Sequence, residues 1–299
     1  MFDAAAANPD SLGIGLGLGG VTVLLRTDRP EMTSWLTSTY GWHPQIDPRG
    51  TVTDLQVSVL SSGAWRRFVR PQATFRFDGI SPFRPLPADR APALFEWGLN
   101  WAIAQRANWY LMVHAAVVAK AGRAVILPGQ PGSGKSTLAA ALLDHGWRLL
   151  SDEFALISLT DGRVHPLWRP ISLKGKALAW FRREHPARMS LRTYPSDKGP
   201  VGFYVPDRTS VAGGTATPAA IVIPRYDPTH AFSTEAVSGF EVFAHMIRNS
   251  FNYARLGERG FATLAETVRG CRARAVVYPD VAPAIASIET LVSAGAEPV

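Results

Sequence analysis

The chain has 299 residues, 46% hydrophobic and 18% charged, which is enough apolar material for one large packed domain or two ordinary ones of roughly 100–200 residues. That composition excludes a wholly disordered or collagen-like protein, and no apolar run approaches the roughly 18 residues a membrane-spanning helix needs. Net charge is +7 and comes from arginine, since only five of the 31 basic residues are lysines. The arginines are scattered, with the densest spots at Arg66-Arg67-Arg70 and from Lys174 to Arg183. That pattern argues against nucleic acid and for a discrete anionic ligand.

The glycine-rich stretch from Leu12 to Leu25 follows Asp3 and Asp10 rather than a basic segment, so it is not expected to be a signal peptide. A lone cysteine, Cys271, excludes an intramolecular disulfide framework and a multi-cysteine metal site. A soluble cytoplasmic protein is the expectation.

Residues 1–109 read as a β-rich region with two helices. From Leu12 to Arg26 glycine alternates with apolar residues, the period of a strand with one glycine face. Its Gly15 to Gly20 fits G-x-G-x-x-G, but no strand precedes it and no amphipathic helix follows, so dinucleotide binding is not the reading. A short helix is predicted over Glu31 to Tyr40, then strands at Val52 to Leu60 and Ala73 to Phe77. A proline-rich linker or covering loop runs from Ser81 to Pro92, and a helix from Ala93 to Ala107.

From Tyr110 the pattern is α/β. Leu111 to Ala119 and Arg123 to Leu127 predict a hairpin, followed by a helix from Lys135 to His145 and a strand from Trp147 to Leu150. Asp161-Gly162 is a turn dipeptide between predicted strands Phe154 to Thr160 and Arg163 to Trp168. Helices are predicted near Gly175 to Arg183, Gly239 to Tyr253, Arg259 to Gly270 and Ala282 to Val292, with strands at Ala219 to Ile223 and Ala273 to Tyr278.

Gly129-Gln130-Pro131-Gly132-Ser133-Gly134-Lys135-Ser136 matches G-x-x-x-x-G-K-[ST] in full, followed by Thr137. With this composition an accidental match is on the order of 1 in 200. The motif also sits between an apolar strand and an amphipathic helix. Glycines let backbone N–H groups wrap a phosphate at a helix N-terminus. Lys135 then reaches the β- and γ-phosphates and the Ser136 hydroxyl ligates Mg²⁺, so a nucleotide is the expected ligand.

Three further features bear on the γ-phosphate. Ser151-Asp152-Glu153 follows a strand, and carboxylates there can hold Mg²⁺ or take a proton from an incoming hydroxyl. A hairpin centred near Ala121 pairs residues whose numbers sum to about 242, which places His114 opposite Pro128 at the mouth of the loop. Arg169 and Lys174, around Pro170, could clamp phosphates or an acidic substrate.

A histidine strand, a hairpin, the loop and an acidic pair sixteen residues after Ser136 resemble the HPr kinase/phosphorylase family. Gly129 to Thr137, Leu150 to Glu153, Arg169 to Lys174 and Asn249-Ser250-Phe251-Asn252-Tyr253 are most similar to its HprK-related kinase A branch, over roughly residues 110–285. The resemblance implies an α/β catalytic domain over 110–299 of the kind shared with phosphoenolpyruvate carboxykinase, with the β-rich region packed on it. It implies a kinase that uses ATP and Mg²⁺ to phosphorylate a serine hydroxyl of a protein or peptide; relatives of this kind also phosphorylate lasso-peptide precursors. Asp152 matches the family's general base, His114 the histidine against that base, and Glu153 a second acidic residue that helps with metal. Thr137 stands where the bifunctional enzymes have glutamate, and their glycine-arginine-asparagine signature is reduced to Arg248-Asn249. Both departures count against the reverse, phosphorolytic reaction.

Two other readings stay open. One is a nucleotide-gated binding module, with Arg188 to Gly214 as a lid; the other is a small-molecule kinase. Neither a membrane partner nor a nucleic acid is expected, and a homo-oligomer is left open. The nine tryptophans, Trp97, Trp101 and Trp109 among them, are expected to fill the interface between the N-terminal layer and the core. His145, His165, His185 and His245 lack metal-ligand spacing. Arginines near Cys271 could lower its pKa, but nothing pairs it with a catalytic base.

Overall fold

The computed structural model describes residues 13–47, 50–63, 69–196 and 199–293. Arg66 and Arg67, and Leu12 at the start of the glycine-rich stretch, lie outside the described residues. The chain is mixed α/β, with seven α-helices and three sheets among the described residues. It divides into two compact units, residues 1–107 with 172–205, and residues 108–171 with 206–299.

The first unit opens with β1 (Ile14–Gly17), β2 (Thr22–Thr27), α1 (Pro30–Tyr40), β3 (Gln45–Ile46), β4 (Leu55–Ser61), β5 (Gln72–Phe77), β6 (Leu86–Pro87) and α2 (Ala91–Arg106). The strands form one sheet in the order β3-β1-β2-β4-β5-β6, in which β2 and β4 run parallel across α1. The glycine face of β1 has a packing reason: a Cβ on Gly15 would stand 2.2 Å from the Ile46 carbonyl oxygen of β3. The proline-rich segment expected as a linker contributes edge strand β6 instead, because Gln72↔Pro87 and Ala73↔Leu86 pair at the open side of β5. Trp101 packs edge-on against Phe77 and Phe83, whereas Trp97 is 37% exposed, contrary to the expectation of burial.

The second unit begins with β7 (Tyr110–Lys120), β8 (Arg123–Pro128), α3 (Lys135–Leu143), β9 (Arg148–Ser151), β10 (Phe154–Ser158) and β11 (Val164–His165). The chain then returns to the first unit through β12 (Ile171–Lys174), α4 (Gly175–Glu184) and β13 (Val201–Tyr204), where β12 pairs β13 and Phe203 packs edge-on against Trp35. Residues 172–205, which the sequence places in a single domain from 110 to 299, thus fold with the N-terminal region. The expected lid from Arg188 to Gly214 is divided between the units. Its C-terminal part is ordered by Asp207, which accepts from Ser210 N at 2.7 Å, and by Arg148, which donates to the Gly214 carbonyl at 2.9 Å.

Completing the second unit are β14 (Thr217–Tyr226), β15 (Ser233–Ala236), α5 (Gly239–Arg248), α6 (Tyr253–Arg269), β16 (Arg272–Tyr278) and α7 (Val281–Ser293). Its sheet runs β11-β10-β7-β8-β14-β16-β15, with β9 also paired to β7. The odd-numbered face of β7, from Leu111 to Ala119, is buried against Val242 and Met246 of α5 and Leu264 and Val268 of α6. Helices α3 and α7 pack on one another, α3 against β7 and α7 against β14 and β16. Cys271 is buried in this core, and burial, not the nearby arginines, sets its thiol, pushing it up to about 12. Trp109 is exposed. The strand expected from Arg163 to Trp168 is cut to β11, because Leu167 N donates to the Leu150 carbonyl at 2.7 Å instead of continuing the hairpin.

Among the described residues no helix is long and apolar enough to cross a membrane.

Candidate active site

The long strand β7 changes partners on both edges at the same level. On one edge β8 ends where Pro128 pairs with Ala115. Past that point Asn249 and Phe251 take over, His114 N donating to the Asn249 carbonyl at 2.7 Å and Phe251 N to the Met112 carbonyl at 3.0 Å. On the other edge β9 ends with Ser151 opposite Val117, and β10 begins with Phe154 opposite His114. The chain leaves the sheet as the 129–134 loop on the first edge and as Asp152-Glu153 on the second. Loops at such a switch keep few ladder hydrogen bonds, here one from Ala115 N to the Glu153 carbonyl at 3.3 Å, and can present side chains to a ligand.

The hairpin register differs by one from the expected one. Ala121 (φ 50°) and Gly122 (φ 76°) form a two-residue turn with both residues left-handed, so Lys120 pairs Arg123 and facing numbers sum one higher. Ala115, not His114, is therefore opposite Pro128. His114 lies one residue beyond the last β7–β8 pair, and its ring stands edge-on to Phe251, 6.0 Å between centroids.

The segment 129–136 forms the strand–loop–helix connection from β8 to α3. Gly134 has φ 92°, and a Cβ there would lie 2.1 Å from the Tyr278 hydroxyl and 2.9 Å from the Tyr226 Cβ, so only glycine fits. Tyr278 Oη donates to the Gly134 carbonyl at 2.9 Å, and Tyr226 N donates to the Ser133 carbonyl at 3.0 Å. The ends of β14 and β16 thereby hold the loop from one side. From the other side Gln130 Nε2 donates to Asn249 Oδ1 at 3.2 Å. Gly129 is buried, whereas Gln130, Pro131 and Gly132 are exposed, and a Cβ at Gly132 would meet nothing within 4 Å. Ser133 Oγ is buried and finds no hydrogen-bond partner among the described residues. Ser136 and Thr137, in the first turn of α3, are half-buried.

Lys135 is 6% exposed. Desolvation lowers its pKa, while the charges of Asp152 and Glu153 act the other way and favour the ammonium. A buried cation and two acidic side chains from the opposite edge of β7 thus share one electrostatic environment. Asp152 is 3% exposed. The bend carrying it is formed by Ser151, whose hydroxyl accepts from Glu153 N at 3.3 Å and Phe154 N at 3.1 Å.

Burial, and then the charge of Lys135, lower His114 to about 4. The 3.8 Å separation between its Nδ1 and a Glu153 carboxylate oxygen is therefore a contact with a neutral ring at pH 7 rather than an ion pair. His114 Nε2 is buried and has no hydrogen-bond partner among the described residues.

Lys135, Asp152, Glu153, His114 and the loop all belong to the second unit. Arg169 and Lys174 do not share a unit: Arg169 is buried in the second and Lys174 exposed in the first.

The segment from Asn249 to Asn252 was expected inside one helix from Gly239 to Tyr253. Instead α5 stops at Arg248, because residues 249–252 are drawn onto the edge of β7. Asn252 Oδ1 accepts from Met112 N at 3.0 Å and its Nδ2 donates to the Tyr110 carbonyl at 2.8 Å. Asn249 and Asn252, 7% and 3% exposed, are site-building residues for which periodicity carried no signal. Their segment was singled out only by the family resemblance of Asn249 to Tyr253.

The donor set suits a polyphosphate and its cation: an open glycine cradle, an orphaned loop hydroxyl, a buried ammonium and adjacent carboxylates. Among the described residues no group of three or more His, Cys, Asp or Glu side chains could hold a metal by itself. A cation here would share its ligands with phosphate oxygens, as magnesium does.

No protein-family model matches the chain, and no curated protein sequence does. Among solved structures it is similar to the HPr(Ser) kinase/phosphatase from Coxiella burnetii at 14% identity, covering 61% of this chain and 94% of that one, with a TM-score of 0.30. A likeness at that level carries no functional argument.

Proposed function

We propose that the chain is an ATP-dependent phosphotransferase that moves the γ-phosphoryl group onto a hydroxyl, in the first instance a serine of a protein or peptide. The observation that supports it is the buried Lys135 at the mouth of the glycine loop, in one electrostatic environment with Asp152, Glu153 and a neutral His114.

In this reading 129–136 is a phosphate-binding loop. The N–H groups of the loop and of the first turn of α3 cradle the phosphates, helped by the hydroxyls of Ser133 and Thr137, and Lys135 offsets the charge of the transferring group. Ser136 and Glu153 would hold magnesium, whose charge draws electron density from the phosphate oxygens. The acceptor hydroxyl gives its proton to Asp152 as its oxygen bonds to the γ-phosphorus, and the bond to the ADP oxygen breaks. Neutral His114 offers Nε2 as a hydrogen-bonding group beside the base without adding a charge. Excluding water strengthens each of these interactions.

The test is transfer from γ-labelled ATP with magnesium into fractionated cell extract, with Asp152→Asn in parallel. The wild type should label an acceptor, and Asp152→Asn should lose transfer by at least about a hundredfold while still binding ATP. Transfer by Asp152→Asn at the wild-type rate would overturn the base assignment. ATP binding with no labelled acceptor would favour a nucleotide-gated module.

A further inference from the structure

We propose that the exposed ring of Tyr226 is the platform on which the base of the bound nucleotide stacks. This rests on the nucleotide reading of the 129–136 loop and adds a subsite to it.

Tyr226 is the last residue of β14, and its backbone is tied directly to the loop through the 3.0 Å bond from its N–H to the Ser133 carbonyl. Its Cβ lies 2.9 Å from where a Cβ on Gly134 would stand, so the root of the ring touches the start of α3. Its register partner on β16, Tyr278, is fully buried, whereas Tyr226 is 40% exposed. The two rings meet edge to face at 5.8 Å and 62°, and the hydroxyl of Tyr278 is anchored on the Gly134 carbonyl. The ring of Tyr226 is therefore braced from behind at the phosphate loop while still presenting surface to solvent.

The next residues stiffen the same place. Asp227 N donates to the Tyr278 carbonyl at 3.0 Å, and the Asp227 carboxylate accepts from Thr229 N at 3.1 Å and Thr229 Oγ1 at 2.7 Å. His230 Nδ1 lies 2.7 Å from the same carboxylate. An aromatic ring whose backbone is already fixed loses little freedom when a ligand stacks on it.

Sheet order supplies the direction. Asp152 and Glu153 lie on the edge of β7 away from β8, whereas β14 and β16 lie on the other side of β8. A phosphate chain held by the loop, with its terminal group toward the acidic pair, has its nucleoside end toward β14. Base–aromatic stacking tolerates any base, so the ligand class is a nucleobase rather than one particular base.

The experiment is calorimetric titration of the full chain with magnesium–ATP and with magnesium–tripolyphosphate, which has the phosphates but no base. Wild type, Tyr226→Phe, Tyr226→Ala, Tyr226→Leu and Lys135→Ala are compared. Tyr226→Leu keeps apolar cover over Tyr278 in case the alanine variant fails to fold. Removing the ring should weaken ATP about 5- to 30-fold and leave tripolyphosphate within about twofold, with Tyr226→Phe close to wild type in both. Equal weakening of ATP and tripolyphosphate would show that Tyr226 only shapes the loop, and unchanged ATP affinity would show that no base rests on it; either overturns the proposal. Lys135→Ala separates the two levels. Loss of both ligands in that variant upholds the phosphate loop even if Tyr226 proves inert. Wild type that binds neither ligand overturns the loop reading and the subsite together.

Discussion

Gly134→Ala probes how tightly the loop is held. The added methyl would start 2.1 Å from the Tyr278 hydroxyl oxygen, 2.9 Å from the Tyr226 Cβ and 3.0 Å from the Tyr278 Cζ. Tyr278 is fully buried and cannot swing aside into solvent. Holding alanine at φ 92° costs roughly 1–2 kcal/mol, and forcing a methyl into packed surroundings adds about 1–3 kcal/mol. The total, about 2–5 kcal/mol, should appear as a lower midpoint in urea unfolding followed by circular dichroism. Tyr278→Phe alone should cost about 1 kcal/mol for the lost hydrogen bond to the Gly134 carbonyl. The double variant decides whether the clash is the cause. With the hydroxyl gone, the closest obstruction disappears and the double variant should be more stable than the sum of the two losses by about 1 kcal/mol. Additive losses, or a Gly134→Ala chain as stable as wild type, would refute the close approach of Tyr278 to the loop.

Two further predictions concern the same strand. Because folding lowers His114 from 6.5 to about 4, the unfolded chain binds the additional proton between those values. Stability contributed by the neutral ring is therefore full above about pH 6.5 and falls as pH drops toward 4, by about 3 kcal/mol at the limit. His114→Gln should flatten that part of the pH–stability curve, and a curve with the wild-type slope would contradict the assignment. Asn252→Ala removes the acceptor of Met112 N and a donor to the Tyr110 carbonyl in a buried place. It should cost about 2–4 kcal/mol and speed hydrogen exchange of the Met112 amide, whereas unchanged exchange there would show that the 249–252 segment is not what holds this edge of β7.

Local chemistry carried the elements that the chain could specify by itself. The apolar run 123–128, the glycines 129–134 and the helix-favouring alanines and leucines after Lys135 encode a strand, a loop and a helix at adjacent positions, because each preference acts over a few residues. The acidic pair after β9 was legible for the same reason. Tertiary structure decided what those pieces face. The register of His114 turned on one residue of turn geometry at Ala121-Gly122, which shifts the β8 partner of each β7 residue from Ala115 to Lys120. The end of α5 was invisible to helical periodicity, because the Asn249 side chain accepts from Gln130 and the Asn252 side chain bonds Asn108 and Tyr110, all more than a hundred positions away in sequence. Cys271 reads as arginine-flanked along the chain, yet in the fold it lies in an apolar core that opposes its ionisation. Periodicity and turn preferences act between near neighbours, whereas register, burial and electrostatic environment belong to groups that only folding brings together.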